Sequence, residues 1–284
     1  MPYPVNPNVM YDVYSPTALK DRVAIITGGG TGLGKAIATE FAKVGCHLVL
    51  AARNMERLDA AAEEIRQYGT KVTTVQTDIR HVDQVKNMVQ HTVDEFGRID
   101  IMVNNAAGRF DIPTENLSRN GWYVVVNIVL NGTWYCSQEA GKQMIKQGGG
   151  SIINIISNSA WLGSVYVAHS AAAKAGVWSM TKTLAAEWGK YNIRVNGIAP
   201  LAPVGPTINN RSSLPQEVTE GDGEGGGRDL PLGRTGVPQE IAWAALFLAS
   251  DAASYVTGHC LDVTGASWLG RRPQGRQRAS AGGN

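Results

Sequence analysis

Short apolar β-rich runs alternate with amphipathic helical stretches along this chain, and few folds accept that order. The apolar runs are Val23–Thr27, His47–Ala51, Val72–Gln76, Ile101–Val103, Ser151–Ile156, Ile193–Ile198 and Cys260–Val263. Helical spacing fills the intervals at Lys35–Val44, Met55–Tyr68, His81–Phe96, Gly121–Gln147, Ser170–Trp188 and Gln239–Ser250. Strands apolar on both faces suit a parallel sheet covered on both sides, joined by right-handed crossovers. The pattern predicts an α/β fold, a doubly wound parallel sheet of about seven strands with helices on both faces, the Rossmann arrangement. No linker interrupts the rhythm, so residues 21–270 are expected to form a single domain, with 1–20 an extended arm and 271–284 a disordered basic tail.

Pro200 to Arg228 breaks the rhythm with four prolines and an acidic glycine run, Glu220 to Gly227. A loop this long at the carboxyl end of the sixth strand reads as a mobile substrate lid (200–228), an unused insert being the alternative. Charge excludes one class of partner. Arg271, Arg272, Arg276 and Arg278 lie in the tail; removing those four from the 26 basic residues leaves 22 against 24 acids. A slightly acidic body does not suit nucleic-acid binding. Cys46, Cys136 and Cys260 are widely spaced and odd in number, which points to buried thiols in a reducing compartment rather than metal ligands or a disulfide framework. No apolar run is long enough to span a membrane and the N-terminus lacks a signal-peptide pattern, so the expected location is the cytoplasm.

The turn Thr27-Gly28-Gly29-Gly30-Thr31-Gly32-Leu33-Gly34 lies between the first strand and the first helix. Gly28, Gly32 and Gly34 permit positive φ and close backbone approach, and the helix N-terminus beyond offers N–H groups to a pyrophosphate. A glycine-rich turn alone is weak; in repeated β/α units it marks a dinucleotide site. About 20 residues further on, such folds choose their cofactor at the end of the second strand. That position reads Ala51-Ala52-Arg53-Asn54, with no acid to hold ribose hydroxyls and a guanidinium able to pair a 2′-phosphate. NADP(H) is therefore expected over NAD(H).

The glycine turn together with Ser170-Ala171-Ala172-Ala173-Lys174 resembles the short-chain dehydrogenase/reductase family, over roughly Asp21 to Gly270. The resemblance implies further cofactor contacts: Thr31 and Leu33 in the turn, Asp78 and Ile79 at the adenine, and Pro200 at the nicotinamide amide. Asn105-Ala106-Ala107-Gly108 would form the cofactor floor, and Lys174 would bind the nicotinamide ribose. The usual active-site tyrosine four residues before that lysine is here Ser170. An alkyl hydroxyl is a far weaker acid than a phenol and a poor proton donor near neutrality. Simple ketone reduction thus loses its donor, whereas reduction of a conjugated C=C needs only neutral donors at the oxygen where charge develops.

His169-Ser170-Ala171-Ala172-Ala173-Lys174-Ala175-Gly176, Ile128 to Thr133 and Ala185 to Gly189 resemble the 2,4-dienoyl-CoA reductase branch, which carries Ser at this place. Two positions depart from that branch: Arg109 replaces Asn, and Ser159, eleven residues before Ser170, replaces a catalytic Tyr. Arg109 can serve as an oxyanion donor or bind a carboxylate or CoA phosphate. Tyr166 is the nearest remaining phenol and Trp161 can wall the pocket, packing on the loop being the plainer reading of both. The helix asparagine usual in the family falls near Val129, with Asn127 and Asn131 expected on different faces. The catalytic set expected is thus Lys174, Ser170, Ser159, Arg109 and Tyr166, without a metal.

The expected function is NADPH-dependent reduction of an enoyl or dienoyl thioester, carried by CoA or a carrier protein, or of a related conjugated carbonyl. Alternatives are an imine or atypical carbonyl reductase and a redox-inactive NADP-binding protein. The partner is a small molecule, with neither nucleic acid nor membrane. A homo-oligomer, a tetramer, is implied by the resemblance.

Overall fold

The computed structural model describes residues 15–201 and 230–269. Most of the expected lid, the first part of the arm and the basic tail lie outside the described residues. Seven parallel strands form one sheet in the order β3-β2-β1-β4-β5-β6-β7. They are β1 Val23–Thr27, β2 His47–Ala52, β3 Val72–Gln76, β4 Ile101–Asn104, β5 Gly150–Ile155, β6 Ile193–Pro200 and β7 Cys260–Val263. The chain leaves β1 toward β2 on one side and returns to β4 on the other. That reversal opens a crevice at the carboxyl ends of β1 and β4, the usual ligand position in such sheets.

The helices are α1 Gly32–Lys43, α2 Met55–Arg66, α3 Val82–Phe96, α4 Arg119–Val126, α5 Gly132–Gln147, α6 Ser159–Leu162, α7 Ala168–Trp188 and α8 Pro238–Ala249. Strand periodicity divides the core in two. Ala24, Ile26, Leu48 and Leu50 face a cluster with Ile37 and Phe41 of α1, Leu58 of α2 and Ile241 of α8. Ile25, Val49, Met102 and Ile152 face the other side, with Val85 of α3, Met144 of α5 and Leu184 of α7. Both faces of the central strands β1, β2 and β4 are therefore dry, which explains their apolar runs, whereas the edge strands β3 and β7 are only partly covered.

Several boundaries differ from the sequence expectation for identifiable reasons. α1 starts at Gly32 rather than Lys35, so the last glycines of the turn lie inside its first turn. α7 starts at Ala168, which puts Ser170 inside the helix rather than at its cap. The expected helix Gly121–Gln147 is two helices joined by a π-helical stretch, Asn127–Asn131. Asn131 Nδ2 donates to Asn127 Oδ1 at 2.7 Å. These two asparagines share a face, as residues four apart on a helix do, and the expectation of different faces is corrected.

The arm is also not extended throughout. Its last residues turn back on the body, Leu19 N donating to the Val44 carbonyl at 3.1 Å with the Leu19 side chain buried. Cys46 and Cys136 are buried, whereas Cys260 is partly exposed. Among the described residues no helix is long and apolar enough to cross a membrane, and no group of His, Cys, Asp and Glu is placed to hold a metal ion.

Candidate active site

The crevice between β1 and β4 is built around close backbone contacts. Gly28 and Gly32 have φ of +67° and +54°. A Cβ on Gly34 would lie 2.2 Å from the Gly28 carbonyl oxygen and 2.6 Å from Asn105 Nδ2. Asn105 Nδ2 in turn donates to the Thr27 carbonyl at 2.9 Å. The Thr27 hydroxyl accepts from Asn105 N and Ala106 N, each at 3.0 Å, and donates to the Val103 carbonyl. The glycine turn and the floor segment Asn105-Ala106-Ala107-Gly108 are thereby locked together. Thr31 precedes α1 without a side-chain capping bond, and the first turn, with Leu33 buried, carries no acid. Its N–H groups and dipole suit an anionic pyrophosphate, and the residues present fit a dinucleotide.

At the far end of β2, Arg53 is exposed and no carboxylate occupies its place or the next. Asn54 caps α2, its Oδ1 accepting from Arg57 N at 2.9 Å. Asp78 follows β3 and is gripped by Arg80: Nε donates to both carboxylate oxygens at 2.9 and 3.0 Å. The Arg80 guanidinium holds the Asp78 carboxyl below the usual carboxylate range, with burial opposing. Ile79 packs under the helix, where a Cβ on Gly132 would meet its side chain at 2.6 Å. Pro200 ends β6 opposite Val263.

Ser170 and Lys174 stand one turn apart on α7, each only 8% exposed. Burial pushes the Lys174 amine down to about 8. Its Nζ donates to the Ile155 carbonyl at the end of β5, and among the described residues no tyrosine hydroxyl shares that bond. Ser159 opens α6, which packs on α7, and its hydroxyl lies 3.0 Å from that of Ser157. Arg109 is half exposed and its Nε lies 3.8 Å from Asp111, so its guanidinium is only loosely tied. Tyr166 has φ of +64° and its carbonyl accepts from Ile112 N at 2.9 Å. That bond ties the loop carrying Arg109 to the approach of α7.

The same loop is pinned a second time. Phe110 meets the buried His169 ring edge-on at 4.5 Å, and Gly121 leaves it room, since a Cβ there would lie 2.9 Å from the Phe110 ring. His169 thus contributes here by packing against Phe110. Beneath the site runs a polar ladder. Asn104 Nδ2 donates to Ser137 and to Asn154 Oδ1, and Asn154 Nδ2 donates to Thr181 Oγ1 at 2.8 Å. It fixes α5, β4, β5 and α7 relative to one another.

Three residues at the site escaped sequence reasoning. Ser157 is the first hydroxyl beyond the apolar run of β5, a position the strand-end rule could have marked. Ser267 accepts from Asn158 Nδ2 at 3.2 Å, a contact between segments far apart in sequence that no local signal announces. Arg80 reads from sequence as a surface charge.

Comparison with known proteins agrees with this geometry. A family model described as Enoyl-(Acyl carrier protein) reductase matches residues 28–265. A probable 2,4-dienoyl-CoA reductase of Bacillus subtilis, (2E)-enoyl-CoA-producing, is 43% identical over 257 residues, covering 90% of this chain and 100% of its own length. A peroxisomal 2,4-dienoyl-CoA reductase of Danio rerio is 38% identical over 258 residues, covering 90% of this chain and 85% of its own. Among solved structures, a short chain dehydrogenase from Bacillus anthracis superposes with a TM-score of 0.78 at 47% identity, covering 90% of this chain and 100% of that one.

Proposed function

Because the chain belongs to the short-chain dehydrogenase/reductase family, an oxidoreductase family that binds a nicotinamide cofactor, we propose that it reduces a conjugated C=C of an enoyl- or dienoyl-CoA thioester with NADPH. One observation carries the reading: the buried face of α7 presents a serine, not a phenol, one turn before Lys174. The relatives named 2,4-dienoyl-CoA reductases support the substrate class.

NADPH supplies the hydride when bound. The protein's part is to hold and to cushion. Gly28, Gly32 and Gly34 with the first turn of α1 would hold the pyrophosphate, and Lys174 would donate to the nicotinamide ribose hydroxyls. Addition of hydride to the conjugated carbon pushes negative charge onto the thioester oxygen. Ser170, with Arg109 and Ser159, donates hydrogen bonds to that oxygen, and fixed donors in a dry site stabilise such charge far better than water does. The carbon then takes its proton from water. Arg109 is loosely tied to Asp111 and is free to turn toward the substrate. Exposed Trp122, Tyr123 and Trp134 on α4 and α5 support a homo-oligomer.

The test is oxidation of NADPH with 2,4-dienoyl-CoA, 2-enoyl-CoA, a cyclic enone and an imine. Turnover of a thioester is expected, and Ser170→Ala slows it by a factor on the order of 10 to 1000. Tight NADPH binding without turnover of any thioester ends the reading, and an unchanged Ser170→Ala rate removes the serine from it. Cofactor choice is tested separately. Arg53→Asp is expected to weaken NADPH by about a hundredfold through loss of one pairing cation and gain of a repelling anion. NADH should weaken little, and equal losses for the two cofactors would remove Arg53 from the phosphate.

A further inference from the structure

Asp78 is the residue the resemblance places at the adenine, yet most of its acceptor capacity is already taken up within the protein. Oδ1 accepts from Arg80 N at 3.1 Å and from Nε at 2.9 Å, while Oδ2 accepts from Nε at 3.0 Å and also from Nη2. An ionised carboxylate offers about four lone-pair sites, and three N–H groups of Arg80 occupy most of them, the one Nε hydrogen being shared between the two oxygens. The main chain is held as well, Asp78 N donating to Gln84 Oε1 at 2.7 Å. The turn leading into α3 is thus rigid around a forked ion pair.

Its position gives the pair a consequence. Thr77 N donates to the Ala52 carbonyl at 2.9 Å and Gln76 Nε2 to the Arg53 carbonyl at 3.0 Å. The segment ending in Asp78 therefore runs beside the one ending in Arg53, on the sheet end where the cofactor reading puts the adenosine 2′-phosphate. That phosphate carries about two negative charges. A bare carboxylate nearby would repel it; a carboxylate neutralised by a fixed guanidinium would not.

Resting on the NADPH reading, we propose that Arg80 is a positioning residue that sets the preference for NADPH over NADH by neutralising and holding Asp78. The lowered Asp78 pKa agrees, Arg80 being its largest cause. The guanidinium acts through the carboxylate and not on the phosphate itself.

The experiment is fluorescence titration of the wild-type protein, Arg80→Met, Arg80→Lys, Asp78→Asn and the double variant with NADPH and with NADH. Arg80→Met should weaken NADPH by about tenfold through the carboxylate charge it leaves uncompensated, and change NADH by less than about twofold. Arg80→Lys, which keeps the charge, should retain the preference. In the Asp78→Asn background the Arg80→Met effect on NADPH should vanish. A tenfold loss that persists there means direct contact with the phosphate and overturns the proposal. Equal weakening of both cofactors overturns it too, since a merely structural role would do that. If the wild-type protein binds NADH but not NADPH, the underlying cofactor reading has failed instead.

Discussion

Gly34→Ala should cost the protein both its cofactor and much of its stability. The added methyl would sit 2.2 Å from the Gly28 carbonyl oxygen and 2.8 Å from its carbon. Both are backbone atoms, so no side-chain rotation relieves the overlap. Either α1 moves off β1 or the glycine turn opens, and each spoils the cradle that its N–H groups form. We expect a loss of about 3 kcal/mol in unfolding free energy, at the upper end for overpacking. NADPH affinity should fall by more than about a hundredfold, since the pyrophosphate relies on close backbone approach. Thermal unfolding and cofactor titration check the two effects. A variant with an unchanged midpoint and affinity would mean that Gly34 does not face Gly28 in solution.

Lys174→Met should have a comparable effect on turnover. The ammonium is the only charged group on the buried face of α7, and losing the hydrogen bonds proposed between it and the ribose is expected to lower kcat by on the order of 100-fold. Its pH signature is more diagnostic. Burial lowers the amine to about 8 from 10.5. The proposed ribose contact requires the protonated form, so NADPH affinity of the wild-type protein should fall as pH rises through about 8. Stability of the cofactor-free protein runs the opposite way. Between the folded pKa and the higher unfolded one, the unfolded chain binds more protons at this site, so unfolding free energy rises with pH across that window and is flat in this contribution below it. The methionine variant should lose both dependences. A wild-type affinity that does not change from pH 7 to 9 would show that the amine stays charged.

The architecture was largely legible because the central strands are buried on both faces: β1, buried throughout, begins and ends at the residues its apolar run suggests, and the partly exposed edge strand β3 does so as well. Helix starts were less so. Gly32 and Gly34 are poor helix formers read alone, yet both lie in the first turn of α1, Gly34 because a Cβ there would overlap the Gly28 carbonyl and Gly32 because its φ is positive. Ser170 looks like a cap by composition but lies inside α7, since α7 already begins at Ala168. The positive φ of Tyr166 has no sequence signal, because a bulky residue adopts it only when tertiary contacts impose it. Of the candidate site, Gly28 and Arg53 were legible from their place at strand ends, and Asp78, Asn105, Ser170 and Lys174 through the resemblance. Ser267 meets Asn158 from far along the chain, a contact no local pattern reveals.

The π-helical turn at Asn127–Asn131 lets α4 and α5 follow two different azimuths. Ahead of it, Val125 is oriented by the cluster near α7; behind it, Cys136, Ala140 and Met144 are oriented by the sheet. A regular helix advances about 100° per residue, and a wide turn absorbs one surplus position. Shortening the chain by one residue there would leave an unbroken rod whose trailing half points its sulfur-bearing and small side chains sideways. The bulge thus works as a phase adjuster, letting the catalytic end and the supporting end of one long rod be tuned independently.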